Sequence, residues 1–205
     1  MHMFSPRIGV PILLSLATSF LSLKASAQKQ EFEMFLTGKK IGTLVTEKKV
    51  KGDVEVYTLT STADAQILWK QIATETHYSV VFKGGQLTES YFEHKENGEV
   101  EKYCKVTPNG TTGYFIHHWK EGKFNTNPVA DLCLISSIYY SEPTDGLKMF
   151  NEGWGVYTTV KKTAPGEYEF KAPDGSRNVY RYRNGHMSDA EFHTSIVTIK
   201  VRPKA

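Results

Sequence analysis

Residues 97–124 read NGEVEKYCKVTPNGTTGYFIHHWKEGKF, and this stretch decides the fold. Asn97-Gly98, Asn109-Gly110 and Glu121-Gly122 divide it at short intervals into three successive hairpins. Asn-Gly suits a two-residue hairpin turn because both central residues of a type I′ turn need positive φ. The residues between these turns are rich in Val, Tyr, Phe, Ile and Thr, which fit a pleated, half-buried surface. The same punctuation continues in both directions, at Lys51-Gly52-Asp53, Gly84-Gly85, Pro165-Gly166, Asp174-Gly175 and Asn184-Gly185. Val54, Val56 and Thr58 alternate onto one face, and Tyr180 and Tyr182 share another. Residues 54–82 are too long for one strand, so a bend or break is expected near 63–69. Short strands with regular turns predict an all-β, antiparallel meander of about ten strands, rolled into a barrel or half-barrel.

One segment departs from that pattern. Residues 128–140, PVADLCLISSIYY, are apolar and lack Gly, with Asn127 placed as a helix cap and Pro128 at the first helical position. Leu132, Ile135 and Tyr139 share a face at helical spacing, and Glu142-Pro143 ends the run. Its length favours an apolar helix closing the open side of the sheet, although periodicity alone also allows a buried strand.

The first 27 residues read as an address. Arg7 precedes an apolar stretch over 8–23, and Ala25-Ser26-Ala27 offers the small-x-small pattern of a signal-peptidase site, placing cleavage after Ala27. Sixteen residues interrupted by Pro11 are short for a membrane span, which needs about 20 apolar residues. The expectation is an exported protein, periplasmic or extracellular, with no membrane span and a single β-rich domain over 28–205. Of 25 basic residues, Arg7 and Lys24 leave with the address, so 23 face 22 acidic ones. That balance argues against a nucleic-acid partner, which needs a clustered basic surface.

The turn glycines and aromatics also form a pattern. Gly38-Lys39-Lys40-Ile41-Gly42, Phe82-Lys83-Gly84-Gly85-Gln86-Leu87 with Ser90, and Ile138-Tyr139-Tyr140 before Glu142-Pro143 are its first parts. Phe150, Glu152, Gly155, Pro173-Asp174-Gly175, Asn178, Tyr180, Tyr182, Asn184 and Gly185 complete it. The chain resembles a family of small exported β-rich bacterial proteins of unknown function, of the Bacteroidota type. The resemblance implies export and an all-β fold, and no activity.

No chemical motif stands out. The G-x-S-x-G elbow and H-E-x-x-H are absent, and Asp64, His77 and nearby serines make only a generic trio. His117 and His118 point to opposite faces of a strand, whereas Glu191 and His193 share one. Glu99 with Glu101, and Glu167 with Glu169, read as the solvated side of a sheet. Neither a catalytic residue, a metal site nor a cofactor is expected. Cys104 and Cys133 suit a disulfide in an oxidising compartment, or two buried thiols.

The surplus is aromatic. Trp119, Tyr139, Tyr140, Phe150, Trp154 and Tyr157 gather around the apolar segment and the strand after it, and Gly153 and Gly155 flank Trp154. These side chains either fill the core or line a cavity for a hydrophobic molecule. The leading expectation is a non-enzymatic binder of a hydrophobic or lipid-like ligand or envelope component. An interaction module of the cell envelope, and an enzyme using His117, His118 or Glu191, are the alternatives.

Overall fold

A computed structural model describes residues 26–110, 113–120, 122–126 and 135–205. The expected address, residues 1–27, lies outside them except for its last two residues. Thirteen strands form one antiparallel sheet, in the order β11-β12-β13-β14-β15-β1-β2-β3-β4-β5-β6-β7-β8. One arm comprises β1 (Ser26–Leu36), β2 (Lys39–Lys51), β3 (Val54–Ile67), β4 (Lys70–Lys83), β5 (Gln86–Glu96), β6 (Glu99–Asn109), β7 (Gly113–His118) and β8 (Gly122–Thr126). The other comprises β11 (Lys161–Ala164), β12 (Glu167–Lys171), β13 (Arg177–Arg183), β14 (His186–His193) and β15 (Thr198–Pro203). A separate hairpin, β9 (Lys148–Asn151) with β10 (Val156–Thr159), completes the set.

The expected turn chemistry accounts for most of the meander. Asn97-Gly98 takes φ 51 and 85, and Asn184-Gly185 takes 53 and 76, as type I′ requires. The break expected near 63–69 is the turn at Leu68-Trp69, joining Ile67 to Lys70. On β3 the core-facing residues are Tyr57 and Leu59, and Val54, Val56 and Thr58 lie on the other face.

Both arms are local meanders that meet where β15 pairs with β1. The chain leaves β8 at one sheet edge and re-enters at β11, the other edge, so the intervening stretch has to cross between them. A single sheet must bury one face against a second layer, and residues 135–160 supply it. Ile138, Tyr139, Met149 and Val160 pack with Phe32, Leu44, Tyr168, Phe170, Tyr180 and Val201. Phe150 packs with Val80, Leu87, Phe92, Cys104, Val106 and Ile116 further out on the longer arm, β4 to β7.

The sheet curls around this segment. Lys102 of β6 lies 3.9 Å from Asp174, in the β12–β13 turn. Along a flat sheet those strands would stand roughly 40 Å apart at the usual ~4.8 Å spacing. The curl stops short of a barrel, because β11 and β8 do not pair, which corrects the closed alternative. The occupied interior gives the reason, since β9–β10 reaches both arms. Thr158 Oγ1 donates to the Lys171 carbonyl at 2.9 Å, while Phe150 is held by β4 to β7.

The expected helix is the second correction. Residues 128–134 lie outside the described residues, and Ile135–Tyr139 forms a single 3₁₀ turn with no α-helix. Side chains take over the backbone bonds that a helix would make. Ser136 N–H donates to Glu152 Oε1 at 3.0 Å, and Tyr182 O–H donates to the Ile138 carbonyl at 2.8 Å.

Gly42 marks where β2 crowds β3. A Cβ there would stand 2.0 Å from the Thr62 carbonyl oxygen and 2.7 Å from the Ala63 Cα. Gly98, at φ +85, has open space around it. Gly42→Ala is therefore expected to destabilise by about 2–3 kcal/mol, the cost of forcing a packed backbone apart. Gly98→Ala should cost about 1 kcal/mol, through its turn geometry. Thermal melts followed by circular dichroism compare the two, and equal losses would contradict the close approach.

Candidate functional site

The expected aromatic residues separate into a surface group and core groups. Trp119 follows β7 and stays beside β6 because its N–H donates to the Tyr103 carbonyl at 3.1 Å. Trp154 sits in the β9–β10 turn, where Asn151 organises the backbone: its carbonyl accepts from Trp154 and Gly155, and its Oδ1 accepts from Gly153. Gly153 lets this turn press on the sheet, since a Cβ there would lie 3.2 Å from the Tyr78 hydroxyl and 3.4 Å from the Phe92 ring.

The two indoles meet edge-to-face with centroids 5.0 Å apart, and both are half-buried. The ring of His118, itself buried, lies 3.8 Å from Trp119 and 6.3 Å from Trp154. Lys102 Nζ stands 4.9 Å from the Trp154 ring and 5.7 Å from the Trp119 ring, with Asp174 beside it. Ring quadrupoles attract a cation at such distances by about 0.5–1 kcal/mol when exposed. The result is a corner with apolar aromatic walls and one ammonium group.

Other members of the expected set serve the core. Phe150 and Tyr139 are buried, Tyr157 packs on Phe150 at 5.3 Å, and Tyr140 meets Tyr57 at 5.8 Å. Cys104 is buried and carries a free thiol, so no bond to Cys133 is present; Cys133 lies outside the described residues. Burial pushes the Cys104 thiol up to about 12, which keeps it protonated.

Glu152 was not singled out for chemistry by sequence reasoning, yet it is fully buried at the centre of the fold. Its Oε1 accepts from Ser136 N–H, and its Oε2 has no hydrogen-bond partner among the described residues. Desolvation raises its pKa above the ordinary carboxylate value, against the lowering effect of Ser136. The signal available in the sequence was an acid in Phe150-Asn151-Glu152-Gly153-Trp154, between aromatic and glycine neighbours.

The outer face of β12 to β14 carries a second polar group. Arg181 Nε lies 2.8 Å from Glu167 Oε2, and its Nη1 lies 2.8 Å from Asp189 and 3.5 Å from Glu191. Glu191 also faces His193 at 3.3 Å and Lys200 at 3.7 Å. A shallow depression of about 390 Å³ runs beside this ladder. Each carboxylate already has a cationic neighbour, so the group reads as cross-strand pairing. Glu191 and His193 share a face as expected, whereas His117 is exposed beside Tyr103 and His118 faces inward. Asp64 accepts from Gln71, and His77 lies against Tyr91, so these two do not join. Among the described residues, no group of three or more His, Cys, Asp or Glu side chains is placed to hold a metal ion. No described helix is long and apolar enough to cross a membrane.

These features define the class: an open, curled antiparallel sheet filled by its own crossing segment, with an aromatic and cationic corner at one end. The chain belongs to the family described as a domain of unknown function, DUF6134, which matches residues 32–204. No curated protein and no solved structure matches it. The match agrees with the expected uncharacterised family.

Two outcomes follow from the buried groups. Because the folded-state pKa of Glu152 is raised, its contribution to stability is complete below the unfolded value of 4.5 and is lost as pH rises through the folded value. Glu152→Gln should therefore melt with the parent chain near pH 4 and above it at pH 8, by about 2–4 °C per kcal/mol relieved. An unchanged pH profile would contradict the buried proton. In a Cys133→Ser background, Cys104 should react with Ellman's reagent only at the rate of unfolding, and rapid native-state labelling would show an accessible thiol.

Proposed function

We propose that this protein is an exported, non-enzymatic binder of an anionic amphiphile or an envelope component bearing one. The observation carrying the reading is the half-buried Trp119–Trp154 pair with Lys102 above both rings. Two indole walls suit an acyl chain or another apolar body, and the ammonium suits an anionic head that displaces Asp174 as its partner. In this reading the curled sheet acts as a half-barrel with a filled interior, so the ligand meets its end instead of entering it. Tyr139 and Phe150 support the fold, and Tyr157 and Tyr140 anchor its inner layer.

Export rests on the Arg7, apolar 8–23 and Ala25-Ser26-Ala27 pattern. Cleavage after Ala27 removes only Ser26 and Ala27 from β1, both exposed, and leaves Phe32 and Met34 in the core. A docking role through the β11 edge is less well supported. Lys161 and Lys162 are exposed there, and edge lysines oppose strand addition.

Indole fluorescence titrated with laurate below its micelle concentration tests the proposal. A saturable change is expected, with Trp119→Ala and Lys102→Ala each weakening binding about tenfold, the equivalent of ~1.4 kcal/mol. A flat titration, or binding unchanged in both variants, would overturn it.

A further inference from the structure

The ladder between β14 and β15 opens at one end. Pairing runs from His193 opposite Thr198 to Ala190 opposite Val201 and stops there. Yet β14 reaches back to His186, and β15 runs on to Pro203. Continued in register, Asp189 would face Arg202 and Ser188 would face Pro203. Two local features part the strands instead. Ser188 is an extra residue in β14, since Arg181 pairs with Asp189 and Tyr182 with Met187. Such a bulge bends its strand and can end the pairing. Pro203 has no N–H to give a ladder. It stays beside β1, where it faces Phe32, and the next N–H, of Lys204, donates to the Glu31 carbonyl at 2.9 Å.

The depression of about 390 Å³ lies at this gap. Its wall carries four cations, Arg181, Arg183, Lys200 and Arg202, against two carboxylates, Asp189 and Glu191. Both carboxylates are engaged. Asp189 meets Arg181 and accepts from the Ser188 hydroxyl at 3.1 Å, and Glu191 meets Arg181, His193 and Lys200. Carboxylates on the flanking strands are engaged as well. On β12, Glu167 is held by Arg181 and Glu169 by Arg177; on β1, Glu33 is held by Lys40 and Glu31 by Lys29 and Lys204. Arg183 and Arg202, by contrast, form no ion pair among the described residues. Arg183 is exposed, and Arg202 lies over the Phe35 ring, 5.6 Å from its centroid. A ring supports the face of a guanidinium and leaves the N–H donors at its edge for an acceptor.

We infer that this gap binds a phosphate group through Arg183 and Arg202. A carboxylate offers two oxygens and saturates one guanidinium fork, whereas a phosphate has oxygens for two. Residues 187–189 also have no partner strand on the β15 side, so their backbone polar groups there are open to a ligand. The arginines stand on the outer face, away from the filled interior, because Tyr180 and Tyr182 between them point inward. Exposed cations are screened, so affinity should fall as salt rises. Hairpins alternate, which puts this gap and the Asp174 turn beside Lys102 at opposite ends of the sheet.

The site is separate from ligand capture at the tryptophans. The test is an NMR titration of the full processed chain with inorganic phosphate and with glycerol 1-phosphate, at ionic strength held constant with chloride. Saturable shifts are expected at the amides of residues 187–190 and 201–202 and at the Nε–H of Arg183 and Arg202. Tighter binding of the ester points to a phosphate carried on a larger molecule, and equal or weaker binding of it points to free phosphate; both support the site. Arg183→Gln and Arg202→Gln should each weaken binding about tenfold, with circular dichroism unchanged. Lys102→Ala should bind phosphate like the parent. Absence of a saturable shift with both probes overturns the inference. So does parent-like binding by both arginine variants, or shifts spread over the surface lysines and arginines at large, the result expected of non-specific attraction.

Discussion

The structure depends on the cover that residues 135–160 give to one face of a single sheet. Among the described residues, the thirteen-stranded sheet has no α-helix and only the short β9–β10 hairpin and one 3₁₀ turn to lie on it. Its inner face carries Phe32, Leu44, Val80, Phe92, Val106, Phe170, Tyr180 and Val201. Leaving such side chains in water costs about 1.5–3 kcal/mol each, more in sum than the net stability of an ordinary domain. The crossing segment answers both arms at once, Tyr139 and Met149 in the cluster that spans the β15–β1 junction and Phe150 on β4 to β7. Glu152 is the polar counterpart of this packing. Its bond to Ser136 N–H ties the turn before β9 to the turn after it, inside the buried core.

Much of this was legible because turns are local. Asn97-Gly98 and Asn184-Gly185 announce positive φ, and strand spacing follows from them. The break near 63–69 was visible only through length, because Leu68-Trp69 contains neither Gly nor Asn to mark it. The pairing of β15 with β1, and hence the crossing of the inner face, is a long-range choice that no local pattern records. Residues 135–140 misled for a related reason. Apolar spacing reports burial, and the covering side chains of Glu152 and Tyr182 then decide how the backbone is satisfied. At the candidate site two members of the expected aromatic set, Trp119 and Trp154, meet in the structure. Its division into core and surface needed the curl of the sheet, which brings Asp174 to Lys102.

A filled interior directs attention outward. Phe150 and Tyr139 are committed to packing, whereas Trp119 and Trp154 are half-buried and Trp69 is exposed. The polar ladder around Arg181 is satisfied within itself and holds the shorter arm in register. The tryptophan-bearing end sets these indoles among polar turns, Asn97-Gly98 and Asp174-Gly175 included, and Lys102 meets both Asp174 and the two rings there.

Hydrogen–deuterium exchange followed by mass spectrometry, with and without a bound amphiphile, tests this division most directly. The account predicts that amides of residues 147–160 exchange as slowly as those of the central strands in both states, with ligand protection confined to the tryptophan-bearing end. Rapid exchange through 147–160, or its loosening as ligand binds, would contradict it by making the interior the binding site.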